Sequence, residues 1–153
     1  MATVQIEGIN GLKALRGKTI GPSEWREVTQ EDINTYADLT GDHQWIHVDV
    51  ERATRESPFG TTIAHGNLTL SQIEGMRLEL LSSTGFRLGV NYGWNKVRFP
   101  SPVPVGSKVR LTASLKDVEE VAGGLQVTIA GVIEAEGADK PVCIAEPVFR
   151  VYG

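Results

Sequence analysis

All three histidines of this 153-residue chain, His43, His47 and His65, fall between positions 43 and 65. Asp42 stands just before them and Asp49 among them, in the run Leu39-Thr40-Gly41-Asp42-His43-Gln44-Trp45-Ile46-His47-Val48-Asp49. Imidazoles titrate near neutrality, so such a concentration is where proton transfer is to be sought. Asp42 and His47 do not share a helix face, because helical neighbours are three or four residues apart. They meet only if the segment folds back. Brought together, the carboxylate orients the ring and the pair can take up and pass on a proton. The competing reading is that Asp42 closes the turn after Gly41 and His47 is a half-buried loop residue. Residue types alone leave both open.

Other chemistries find less support. His43 and His47, with His65 and Asp49 nearby, are candidate metal ligands. No HExxH pattern accompanies them, and the one cysteine, Cys143, is remote. The residues are therefore read as holding no metal. Ser71 and Ser101 lie outside any GxSxG context, and Cys143 sits in a strand where burial is expected. No GxGxxG or P-loop is present, so no nucleotide cofactor is expected. Gly66 is a different case. It stands where a helix should begin, and a helix start offers free backbone N–H groups and a positive dipole end. Glycine there lets a carbonyl oxygen approach the backbone closely.

The elements that must position these groups change character along the chain. Helical signals dominate up to about Ser83 and strand signals follow Arg87. A short helix is expected around Gly11 to Leu15. Thr29 and Asp32 form a capping pair, Val28 and Ile33 a hydrophobic staple, and Gly41 a helix stop. Ile33, Tyr36 and Ala37 give that helix its buried face. Asp49 caps a second helix, Val50 to Glu56, which ends before Ser57-Pro58. A third helix follows Gly66 and is expected to run to Ser83–Gly85. Leu70, Ile73, Met76 and Leu80 form its core stripe. From Leu88 the period is two, with a phase slip expected near Asn95 and Lys96. Val109, Leu111, Ala113 and Leu115 make the next strand, Gly123-Gly124 a hairpin turn, and Val142 to Tyr152 a last strand bent at Pro147. Helices followed by antiparallel strands define an α+β class, with a sheet wrapped around the helix from Gly66.

Composition bounds the rest. Hydrophobic residues are 41% and charged residues 22%, as in soluble globular domains. The whole chain, 1–153, reads as one domain with a helical overhang at about 29–60. The formal charge of −4 speaks against a nucleic-acid or anionic-membrane partner. No apolar run suits a bilayer span or a secretory leader, so a cytoplasmic location is expected.

The run from Tyr36 to Asp49, with Asp42 and His47, resembles the signature of the MaoC-like (R)-specific enoyl-CoA hydratases, a pattern shared by nodulation-protein-N-like members. His65-Gly66 resembles the family's His-Gly at the start of its central helix. Arg98-Phe99, Pro102-Val103 and Gly106 resemble a further family stretch. The family's usual Asn-Pro is Gln44-Trp45 here. The resemblance implies a hot-dog fold, an antiparallel sheet around a long helix, in a homodimer. It implies reversible hydration of a trans-2-enoyl thioester to a (3R)-3-hydroxyacyl thioester in fatty-acid metabolism. Asp42 and His47 would be catalytic, and the Gly66 N–H would hold the thioester oxygen. Gln44 and His65 are candidates for support, and Trp45 for lining the substrate channel. The substrate would be carried on CoA or acyl carrier protein, with no metal or redox cofactor. Two alternatives stay open: an acyl-CoA thioesterase, and a non-catalytic subunit that binds acyl thioesters.

Overall fold

The computed structural model describes residues 3–153. Its elements are, in order, β1 (Val4–Glu7), α1 (Gly8–Ala14), β2 (Thr19–Ile20), β3 (Arg26–Glu27), α2 (Gln30–Thr40), α3 (Trp45–Val48), α4 (Val50–Glu56), α5 (Gly66–Leu80), β4 (Leu81–Thr84), β5 (Leu88–Arg98), β6 (Lys108–Val121), β7 (Gly124–Ala135) and β8 (Cys143–Tyr152). The main sheet has the order β2-β6-β7-β8-β5, with β3 also pairing β6. All of its pairings are antiparallel.

Strict alternation drives the sheet to bury one face. On β6, Val109, Leu111, Ala113 and Leu115 are fully buried, and on β7 so are Leu125, Val127, Ile129 and Ile133. Helix α5 meets them with Ile73, Met76 and Leu80, each at most 2% exposed. Leu70, the fourth member of the expected stripe, is only half-buried.

The expected caps of α2 are in place. The Thr29 hydroxyl accepts from the Asp32 N–H at 3.1 Å, and Asp32 Oδ2 accepts from the Thr29 N–H at 3.0 Å. Val28 and Ile33 are buried beside them. Such a cap contributes about 1 kcal/mol. Gly41 ends the helix at φ +83°, a conformation costly for a residue with a Cβ, and its N–H donates to Ala37 O.

One expectation needs correction, and two features are added to the others. Helix α5 stops at Leu80 rather than at Ser83–Gly85, because Leu81–Thr84 pairs in parallel with Val4–Glu7. That partner is remote in sequence, and four residues carry no period strong enough to announce it. Residues 45–48 form one helical turn within the segment between Asp42 and Asp49. The slip at Asn95 and Lys96 is present, between Trp94 and Val97, but a second slip lies between Asn91 and Gly93.

Strand β5 differs from the other long strands. Among the described residues it has a neighbour on one side only. Its alternating residues Leu88, Val90, Tyr92 and Trp94 are all exposed, Tyr92 to 60%.

Candidate functional site

The turn after α2, the short helix α3 and the first residue of α5 converge. Asp42, His47 and His65 each bring a ligand-type atom within 4.8 Å of the others. Asp42 is exposed, whereas His47 and His65 are 7% and 3% exposed. A cavity of about 330 Å³ opens here, lined by Tyr36, Asp42, His47, His65, Gly66 and Phe99, among others. A second, more apolar cavity of about 320 Å³ shares His47, Gly66 and Phe99 with it.

Local chemistry fixes each group. Asp42 follows the left-handed Gly41, and its Oδ1 accepts from the Gln44 N–H at 3.3 Å. His47 lies in α3, where its ring reaches the segment before α5. Its Nδ1 is 2.7 Å from Ile63 O. A carbonyl only accepts, so Nδ1 carries the hydrogen and Nε2 keeps its lone pair. Burial pushes the His47 pKa below the ordinary imidazole range. The Ile63 hydrogen bond opposes that shift, His65 adds to it, and the Asp42 charge opposes it. The ring is thereby biased to its neutral, proton-accepting form.

The segment carrying Ile63 is itself pinned. Ile63 N–H donates to Ile46 O, Ala64 N–H to Val103 O, and Val105 N–H to Thr62 O. Pro102 and Pro104 lack amide hydrogens, but this chain stretch still supplies the carbonyl of Val103. Helix α5 therefore begins at a defined place. By position, the N–H groups of Gly66 and Asn67 have no partner within the helix. An added Cβ on Gly66 would lie 3.0 to 3.2 Å from the Phe99 ring.

The residues singled out from sequence separate here. Asp42, His47, His65 and Gly66 come together. His43 does not. It is exposed and bonds Asp38 at 2.9 Å, and that bond raises its pKa. Gln44 enters through its backbone N–H, while its side chain is exposed. Trp45 is outside both cavities. The Arg52 guanidinium lies over its ring at 4.2 Å. Cys143 is fully buried, and burial pushes its thiol pKa up to about 11. Such a thiol is inert.

Sequence reasoning missed Gln30 and Thr62. Gln30 Nε2 donates to His47 O at 2.8 Å, and the Thr62 hydroxyl donates to Gln30 Oε1 at 2.6 Å. Neutral polar side chains 32 positions apart leave no signal that could have paired them.

The same three residues, Asp42, His47 and His65, bear on metal binding, since their ligand-type atoms lie within 4.8 Å of one another. A zinc ion needs its ligands to converge on one point at about 2.1 Å. The His47 and His65 rings are stacked, with centroids 3.9 Å apart and planes at 22°. Lone pairs lying in nearly parallel planes run side by side instead of meeting.

A sheet around one helix, with a carboxylate–imidazole pair at that helix's N-terminus, defines a class of protein. Residues 12–138 match the family model described as MaoC like domain. The chain belongs to that family. It is 50% identical over 145 residues to the 3-hydroxyacyl-thioester dehydratase Z of Mycobacterium tuberculosis, covering 94% of this chain and 95% of that one. It is 44% identical over 131 residues to the nodulation protein N of Rhizobium leguminosarum bv. viciae, covering 84% and 81%. In three dimensions it resembles an Archaeoglobus monoamine oxidase regulatory protein, with TM-score 0.79, 24% identity and coverage of 99% and 98%. The α+β, hot-dog reading stands.

Proposed function

We infer that the chain is a hydro-lyase, an (R)-specific enoyl-thioester hydratase and 3-hydroxyacyl-thioester dehydratase. One observation carries the reading: the Asp42 carboxylate and the His47 ring share a cavity with Gly66 at the start of α5. The substrate is an acyl thioester on CoA or acyl carrier protein, and the site of action is the cytoplasm. No helix among the described residues is long and apolar enough to cross a membrane.

The chemistry follows from the site. The enoyl thioester is electrophilic at C3, and charge develops on its carbonyl oxygen as water adds. The Gly66 N–H takes that oxygen, a contribution of about 3 kcal/mol to the barrier for donors of this kind. His47 Nε2 and the Asp42 carboxylate grip one water. Its oxygen bonds C3, one hydrogen stays as the new hydroxyl, and the other passes through the pair to C2. Dehydration is the reverse. General acid–base help of this sort is worth about a hundred- to ten-thousand-fold. The step as written calls on no metal or redox cofactor.

The working unit is a homodimer. What supports this is β5, whose open edge and exposed apolar residues suit a second copy of the same strand about a twofold axis.

The deciding experiment follows crotonyl-CoA by loss of its conjugated absorbance, with chiral analysis of the product. Wild-type chain is expected to hydrate it to the (3R) alcohol without releasing thiol. Asp42→Asn and His47→Ala are each expected to lose at least about a hundredfold in kcat while remaining folded. Free CoA thiol would show a thioesterase instead. Binding without turnover would show a carrier subunit. Normal turnover by both variants would sink the assignment.

A further inference from the structure

We propose that His65 is a positioning residue, one imidazole that sets the spacing of Asp42, His47 and Gly66. The inference rests on the hydratase reading and deepens it.

Three contacts carry it. First, His65 Nε2 lies 2.9 Å from the main-chain oxygen of Asp42. A carbonyl can only accept, so Nε2 donates and ties the Asp42 turn to the start of α5. Second, its ring stacks on His47 at 3.9 Å, and the Tyr36 ring lies tilted against it at 4.7 Å and 55°. Third, His65 is the N-cap of α5, and its own carbonyl accepts from Leu68 and Thr69. Gly66 is the next residue. The same side chain and its backbone therefore touch the carboxylate segment, the base and the oxygen-binding amide.

A filler would not need to be histidine. His65 is 3% exposed, and its Nδ1 has no hydrogen-bond partner among the described residues. A buried, unpaired acceptor is a penalty that an apolar ring of similar size would avoid. The bond to Asp42 is what offsets that penalty and accounts for an imidazole at this position.

Two size-preserving variants separate the two contacts. H65F keeps a stacking ring and loses the donor. H65Q keeps an N–H donor and loses the ring. With crotonyl-CoA, H65F should lose on the order of tenfold in kcat with KM nearly unchanged, and H65Q should recover part of that loss. NMR titration of the His47 ring reads the stack independently of turnover. The charged or titratable groups around His47 are Asp42 from the α2–α3 turn, His65 from α5, Tyr36 of α2 beyond it, and Arg52 of α4 over Trp45. Removing the ring admits water to a base held down chiefly by burial. Both variants also remove the His65 charge that adds to the lowering, so the His47 midpoint should rise in both and further in H65Q, where the ring is lost as well. Full kcat in H65F, or an unmoved His47 midpoint in H65Q, overturns the proposal. If wild-type chain fails to hydrate crotonyl-CoA, the proposed activity falls, while the His47 titration still decides for or against the stack.

Discussion

The two ends of helix α5 are buried by different means. At its C-terminal half, Ile73, Met76 and Leu80 pack into the apolar face of the sheet. At its N-terminus, His47, Thr62 and His65 are just as hidden, but hydrogen bonds hold them. One end is stabilised by removing apolar surface from water, which is insensitive to direction. The other depends on distances and angles, and a misdirected polar group there is a net cost. Stability should thus be concentrated at the first end and activity at the second.

Met76→Ala should break the comparison most visibly if it is wrong. Met76 has no exposed surface, so truncation is expected to cost about 2–5 kcal/mol. Chemical denaturation measures the loss, and kcat per folded molecule should hardly change. Gly66→Ala should behave in the opposite way. The new Cβ would press on the Phe99 ring and crowd the approach to the amide. A drop in kcat/KM on the order of 10- to 100-fold, with little change in denaturation midpoint, is expected. Adding Phe99→Ala to make room should restore part of it.

The pH dependence should be smaller and should appear in both activity and stability. The His47 pKa is depressed in the folded chain, so the acid limb of kcat/KM should fall below the ordinary value of 6.5. Between the folded and unfolded pKa the unfolded chain binds the extra proton, so stability rises with pH there. The His47 contribution is fully present above 6.5 and is lost as the pH drops through the folded value. Denaturation of His47→Gln as a function of pH should lack that component. The smallest change to the isolated chain should come from Tyr92→Lys. It alters an exposed residue of β5, leaves the fold intact, and should shift sedimentation from dimer to monomer.

The sequence announces what is local. The Thr29–Asp32 cap, the Gly41 stop and the Asp49 cap each lie within a few residues, and all three are found. The β6–β7 hairpin is legible for the same reason, as alternation on both sides of Gly123. Nothing local marks β1 and β4, whose pairing joins Val4 to Leu81. The site divides along the same line. Residue types and the family pattern around Asp42, His47 and Gly66 point to the chemistry. The stacking of His65 on His47, and the reach of Gln30 to His47 O, depend on how α2 and the start of α5 dock. The alternation in β5 is readable too, yet the apolar residues that carry it are left exposed. A single chain's pattern does not say whether the surface it buries belongs to itself.

Gln30 has a mechanical consequence. Its amide clasps Asn34 Oδ1, the oxygen of His47 and the Thr62 hydroxyl together. The first turn of α2, the main chain of His47 and the strand-like lead into α5 are thereby linked as one piece. Any opening that admits a bulky acyl group must either leave this piece whole or break three bonds at once, so access should come from the Phe59 and Phe99 side of the cavity.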